Sequence, residues 1–226
     1  MQVSTCMMQR PVLATTIPVP ASCRARLLQA ATEVFSERGF QAATTREIAQ
    51  RAEVNEVTLF RHFRTRRELM RAVVEQILQA EVAFMARFTL QTGDFRTALR
   101  EYTEAYLELV ERRQGIVRAI LGEGHLLPPE VQQTVVDLLA PVKRQLAEWI
   151  ASLQHNGSVR SDVDPLAAIE MMRDALQTAV LRWRGPFKNL GGPRDIYLEN
   201  FLEIYARGLE TKSSGKGGKA SDGSTN

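Results

Sequence analysis

The stretch Thr44-Thr45-Arg46-Glu47-Ile48-Ala49-Gln50-Arg51-Ala52-Glu53-Val54-Asn55-Glu56-Val57-Thr58-Leu59-Phe60-Arg61-His62-Phe63 reads as two short helices separated by a three-residue turn. Thr44 to Glu47 fits a capping box, in which a threonine hydroxyl takes an orphan amide and Glu47 reaches back, and the helix it opens through Ile48, Ala49 and Ala52 is about two turns long. Asn55 can cap the next helix. Thr65-Arg66-Arg67-Glu68 then makes a second capping box that starts a long helix through Leu69, Val73, Ile77 and Phe84. Upstream, Ser22 is placed to cap a helix that runs to Arg38, carries Leu27, Leu28, Ala31, Val34 and Phe35 on one face, and stops at Gly39. A supporting helix followed by two short helices and a tight turn predicts a tri-helical helix-turn-helix, whose third element suits the DNA major groove.

Outward from this segment the punctuation stays helical. Apolar residues recur at spacings of three and four, and no stretch shows the alternation of a strand. Further helices are expected from Phe95 to about Arg113, from Ile116 to Leu121, and from Pro128 to about Leu153 with a bend at Pro141. Two more follow, from Pro165 behind an Asp164 cap to about Arg184, and from Asp195 to Glu210. The fold class is therefore all-α, with about nine helices and no internal repeat. Residues 1–21 hold three prolines and no acidic residue, and 211–226 are a Gly/Ser/Lys tail, so both are expected to be disordered arms. The predicted division is a DNA-binding domain over 22–70 and a helical domain for ligand binding and dimerisation over 71–210.

Composition is that of a globular protein, with 44% hydrophobic and 24% charged residues in 226. Two cysteines, Cys6 and Cys23, offer no disulfide framework and no CxxC site. No run approaches the roughly 18 apolar residues of a membrane span, so a soluble, cytoplasmic protein with no membrane partner is expected. The formal net charge is only +3, so charge matters by its placement. Residues 22–72 hold ten arginines and six glutamates, a net +4, which leaves the rest of the chain at about −1. Arg61, Arg64, Arg66 and Arg67 crowd into seven positions, where a phosphate backbone would need them.

The segments Leu27-Leu28-x-Ala-Ala-x-x-Val-Phe-x-x-x-Gly-Phe, Thr44 to Ala49, Val57 to Phe63 and Thr65 to Leu69 resemble the N-terminal domain of TetR-type transcriptional regulators, over about residues 24 to 70. The resemblance implies a regulator that binds a double-stranded DNA operator as a homodimer. Carried over by residue, Val57, Thr58 and Arg61 project toward base edges, where Arg61 could take guanine bidentately and Val57 or the Thr58 methyl could meet thymine. Glu56 could accept from a cytosine amino group. Arg46 resembles positions that reach either a base edge or a phosphate. Thr44, Thr45, His62 and Arg66 look like phosphate anchors, which set register. Leu59 and Phe63, spaced by four, face the supporting helices, with Ala49, Val54 and Leu69 beside them.

Three residues depart from the family pattern. Phe60 stands where a tyrosine is usual, so a hydroxyl that reaches phosphate is absent. Glu53 replaces the usual turn glycine, which implies either strain at a positive φ or an altered turn. Arg66 replaces the usual lysine and changes the donor geometry.

Two-fold symmetric reading of two half-sites calls for an apolar, self-complementary interface. The family pairs its last two long helices into a four-helix bundle, which here implicates Met172, Leu176, Val180, Phe201, Ile204 and Tyr205, although periodicity does not tell self-burial from partner burial. A small-molecule site is expected among the helices between about Met70 and Trp183, with Phe84, Phe88, Tyr102, Tyr106, His125, Trp149 and Met171 as lining residues or as ordinary core. The small number of charges among them points to an apolar or aromatic effector. His62 has no Cys, Asp or second His at ligand spacing, so no metal is expected. No cofactor is expected either, and with no GxSxG, GxGxxG or HExxH the chain does not read as an enzyme. The combined reading is a repressor released by a small molecule, and the alternative is a DNA-binding protein of the same fold with no effector, under architectural or protein-partner control.

Overall fold

The computed structural model describes residues 22–87, 94–186 and 188–211. Among them nine α-helices follow in order: α1 (Cys23–Ala42), α2 (Thr45–Arg51), α3 (Glu56–His62), α4 (Arg66–Arg87), α5 (Phe95–Arg112), α6 (Gln114–Glu123), α7 (Pro129–His155), α8 (Pro165–Arg184) and α9 (Arg194–Leu209). Two short 3-10 turns, at Gly124–Leu126 and Lys188–Leu190, complete the helical elements. A lone antiparallel bridge between Val159 and Glu210 is the one β-type pairing among the described residues. The all-α expectation holds, while the arms at 1–21 and 212–226 lie outside the described residues.

The predicted caps are in place. The side chains of Ser22, Thr44, Asn55 and Asp164 accept from the amides of Ala25, Glu47, Thr58 and Ala167. Each satisfies one of the orphan donors of a first turn, a contribution of about 1 kcal/mol. The stop expected at Gly39 is a kink rather than an end. Gly39 takes φ 81, and helical turns resume as far as Ala42. The capping boxes differ from the expected reciprocal form. Glu47 turns to Arg38 at 2.6 Å, and Glu68 accepts from the Arg64 amide at 3.0 Å, one residue before the cap.

Two apolar cores result. The first gathers Leu27, Val34, Phe35 and Phe40 of α1, Ile48, Leu59 and Phe63 of the helix-turn-helix, and Leu69 to Leu78 of α4. It also takes in Ile116 and Ala119 of α6 and Val131 of α7, so helices beyond residue 70 share this core with the helix-turn-helix. The second core joins Met85, Leu99, Tyr102, Tyr106, Leu146, Trp149, Ile169, Met172, Leu176 and Leu202 across α4, α5, α7, α8 and α9. The helix α4 runs through both cores and packs on α7.

On α8 the structure corrects half of the expected dimer face. Met172, Leu176 and Val180 are 0% exposed in their own protomer. Together with Ile169 and Arg173 they form the inward stripe, because α5 and α7 pack on that side. Met171, one residue and about 100° around the helix, is 71% exposed instead.

Candidate nucleic-acid interface

The recognition helix α3 is fixed from behind and free in front. Leu59 and the capping residue Phe63 are completely buried, with Ile48 and Ala49 of α2 beside them and Val54 half-buried. On the opposite side Val57 is 71% and Phe60 42% exposed, and Arg61 and His62 are open to solvent. The turn into α3 is built by hydrogen bonds from Glu53 N–H to the Gln50 carbonyl and from Val54 N–H to the Ala49 carbonyl, the pairing of a Schellman motif. That motif places Glu53 at φ 56, and it is the one non-glycine residue of positive φ among those described. Of the two expected alternatives, strain at a normal turn is therefore the one realised, at about 1–2 kcal/mol.

Side chains tie the two helices together. The Thr45 hydroxyl donates to the Glu56 carboxylate at 2.6 Å, linking the start of α2 to the start of α3. The Thr58 hydroxyl donates to Asn55 Oδ1 at 2.8 Å, which leaves its methyl as the group for a base edge. The Thr44 hydroxyl accepts the Glu47 amide and so is engaged as a cap. These contacts occupy part of the polar capacity of Thr44, Thr45 and Glu56, and they order the first turns of α2 and α3.

The arginines divide into tied and free. Arg38 pairs with Glu47 and Arg51 with Glu37, both at 2.6 Å, and Arg71 pairs with Glu75 at 3.3 Å. Arg24 lies 4.9 Å from the Phe63 ring centroid. Among the described residues Arg26, Arg46, Arg61 and Arg64 form no ion pair. Three of those four stand on or beside the helix-turn-helix, where unpaired guanidinium groups can meet phosphates or guanine. Arg66, expected at the same surface, is half-buried instead and donates to the carbonyls of Phe40, Gln41 and Ala43.

The expected ligand-site residues divide between one core and the surface. Phe84, Tyr102 and Tyr106 do come together, with centroids 6.2 and 5.7 Å apart in sequence along the cluster. Trp149 is buried in the same core, with Phe95 as its ring neighbour at 6.0 Å. His125 is exposed because it sits in a surface 3-10 turn, and Met171 faces outward, so neither lines an interior. Phe88 lies outside the described residues.

The interior around the tyrosines also corrects the expectation of a lining nearly free of charge. Arg173 of α8, only 3% exposed, donates to the Tyr102 hydroxyl at 3.0 Å, pairs with Glu81 of α4 and lies 4.5 Å above the Tyr106 ring. Gln177 donates to the Tyr106 hydroxyl. Burial pushes the Tyr102 hydroxyl up to about 12 and raises that of Tyr106 as well. Burial opposes the charge of Arg173, but Tyr102, Tyr106 and Glu81 outweigh it and its pKa is raised. Position was the available signal, because Arg173 falls on the apolar stripe of Ile169, Met172 and Leu176.

Of the expected dimer residues, Phe201, Ile204 and Tyr205 do reach the surface. With Tyr197 and Asn200 they line a groove of about 380 Å³, and Ile204 is 72% exposed. The Tyr205 hydroxyl donates to the Ala168 carbonyl at 2.6 Å and that of Tyr197 to Ala175 at 3.4 Å, which seats α9 on α8.

Residues 27–73 match the model of the tetR family of bacterial regulatory proteins. The HTH-type transcriptional activator FasR of Mycolicibacterium smegmatis is 35% identical over 112 residues, which are 50% of this chain and 51% of that one, so the match spans about half of that relative. The HTH-type transcriptional repressor KstR2 of the same organism is 29% identical over 205 residues, covering 87% of this chain and 94% of the relative. In three dimensions the ketosteroid transcriptional regulator KstR2 of Mycobacterium tuberculosis superposes with a TM-score of 0.66 at 24% identity, over 85% of this chain and 97% of that one.

Proposed function

We propose that the chain, whose residues 27–73 match the tetR family of bacterial regulatory proteins, is a dimeric repressor released from a palindromic operator by a small molecule. The observation that carries the DNA-binding part is the combination of a buried rear and a free front on α3, flanked by Arg46, Arg61 and Arg64 without ion pairs. In this reading Arg61 and the Thr58 methyl contact base edges with Val57, Arg46 takes a base or a phosphate, and Thr44, Thr45 and His62 hold the backbone. Glu56, whose carboxylate already accepts from Thr45, orders the helix start and retains one oxygen for a cytosine amino group.

For dimerisation the reading rests on the α8–α9 surface. The aromatic groove of Tyr197, Phe201, Ile204 and Tyr205 adjoins a helix that exposes Leu166 and Met171, which together make an apolar face suited to a two-fold copy. In this reading an effector acts at the Phe84, Tyr102 and Tyr106 cluster, a site supported by the way those residues and Arg173 join α4, α5 and α8. A ligand seated there must displace contacts of α4, the helix that leads directly out of the DNA-binding domain. Switching the dimer almost completely takes on the order of 5.5 kcal/mol of differential binding. The ketosteroid named for the similar regulator supports an apolar, ring-bearing molecule with an oxygen for Arg173 or Tyr102. The alternative without an effector is favoured by one observation: the guanidinium and hydroxyls of that interior satisfy one another.

The test is selection of bound DNA from a random pool by the purified protein, followed by anisotropy at two salt concentrations. The expected result is an inverted repeat whose half-site centres lie about one helical turn, or a multiple of it, apart. Featureless and salt-labile binding would overturn sequence-specific repression. With the operator in hand, a ring-bearing apolar panel is expected to contain a molecule that releases it, and failure across all ligand classes favours the effector-free alternative.

A further inference from the structure

The turn between α1 and α2 is held from two sides by opposite charges. From the second domain, Glu123 at the end of α6 accepts the Gln41 amide at 2.8 Å. Its carboxylate fills the space beside Gly39, where a Cβ would lie 1.9 Å from Oε1. Arg118 of the same helix donates to the Ser36 carbonyl at 2.8 Å, and Gly115 sits so close to Ser36 that a Cβ there would fall 2.7 Å from the serine Cβ. The helix α6 therefore grips α1 on both sides of the Gly39 kink. From below, Arg66 at the start of α4 faces the carbonyls of Phe40, Gln41 at 3.4 Å and Ala43 at 3.0 Å. One carboxylate thus takes a backbone N–H of the turn and one guanidinium nitrogen faces its carbonyls, immediately before Thr44 caps α2.

Arg66 turns its Nη2 to these carbonyls, and charge-assisted hydrogen bonds anchor its half-buried side chain at the turn. We infer that Arg66 and Glu123 are positioning residues that clamp the α1–α2 turn from opposite sides, so that α6 as well as α4 sets the pose of the helix-turn-helix on DNA, a role for Arg66 that needs no phosphate contact. The helix α6 follows α5, which carries Tyr102 and Tyr106, so the clamp connects the tyrosine interior to the turn by a second route. The inference rests on DNA binding by the helix-turn-helix and not on the existence of an effector.

Salt dependence separates the two roles of Arg66. Each phosphate contact contributes about 0.9 to the slope of log affinity against log salt, and a positioning residue contributes nothing to it. With the full-length protein and the operator enriched from the random pool, Arg66→Lys, Arg66→Ala and Glu123→Ala are each expected to weaken operator binding about tenfold. Affinity for random DNA and the salt slope stay at their wild-type values. The double variant is expected to lose about as much as the worse single one, because both residues act on one turn. Independently of DNA, hydrogen exchange at the Gln41 amide of the free protein is expected to accelerate about tenfold in Glu123→Ala. If Arg66→Lys binds as wild type while Arg66→Ala lowers the slope by about one unit, Arg66 is a phosphate contact and the clamp is wrong. Wild-type operator affinity and unchanged Gln41 exchange in Glu123→Ala would likewise remove α6 from the positioning of the domain. Should wild type enrich no operator at all, sequence-specific repression fails, and the exchange measurement still decides the Glu123 grip.

Discussion

The core beneath the recognition helix and the core of the C-terminal bundle follow different rules. In the first, Leu27, Phe35, Phe40, Ile48, Leu59, Phe63 and Leu69 are all 0% exposed, and polar groups stay at the helix ends as caps. The two buried polar or charged residues among those described, Thr103 and Arg173, both belong to helices of the second. An apolar core tolerates gradual change, since each lost methylene has its own modest cost. A buried ion pair adds little net stability, yet losing one partner leaves an uncompensated charge and is severe. The first region is thus a scaffold for a fixed surface, and the second depends on particular partners being present.

The sharpest way to break that contrast is Glu81→Ala, which strands Arg173 and is expected to cost about 3–5 kcal/mol in urea unfolding. Replacing the pair together, with Arg173→Met and Glu81→Leu, is expected to recover most of that loss, and a single-variant cost below about 1 kcal/mol would mean that water or rearrangement already solvates the pair. Next in size, Leu59→Ala in the first core should cost about 2–5 kcal/mol by the cavity it leaves, with operator affinity per folded molecule reduced through tilt of α3. At the surface of the same region, Arg61→Ala should leave stability unchanged and weaken the specific operator by about 1–3 kcal/mol while relaxing base preference. Equal losses on specific and random DNA would instead make Arg61 a backbone contact. The smallest expected effect is a gain. Glu53→Gly relieves the residue at φ 56 and should raise the unfolding free energy by about 0.5–1 kcal/mol after the entropy of glycine is offset.

Much of the DNA-binding region was legible because its determinants are local. Ser22, Thr44 and Asn55 cap amides three residues away, and such contacts depend on little besides the neighbouring backbone. The strain at Glu53 was visible as a choice between two turns, and the Schellman hydrogen bonds select one of them. The bundle was legible in its helices and not in their faces. The helix α8 has apolar residues around much of its circumference, so periodicity does not tell its faces apart, and the packing hides Met172, expected at the dimer face, while it exposes Met171, expected at a ligand site. Arg173 was passed over because an arginine is ordinarily solvated, and only the proximity of Glu81, 92 positions earlier, makes its burial tenable. Arg66 was read from its place in a motif, whereas its partners are carbonyls 23 to 26 residues upstream.

The sequence by itself therefore determined an all-α chain, where its helices begin, and a basic helix-turn-helix at its N-terminal end, because caps, turns and 3.6-residue periodicity act within a few residues of one another. Only the tertiary structure decided which arginines remain free for DNA, which side of α8 is hidden, and that α6 and α4 meet at the α1–α2 turn. Each of those outcomes is a contact between residues far apart in the chain, and burial and charge pairing at such distances depend on how helices pack, not on the order in which they are written.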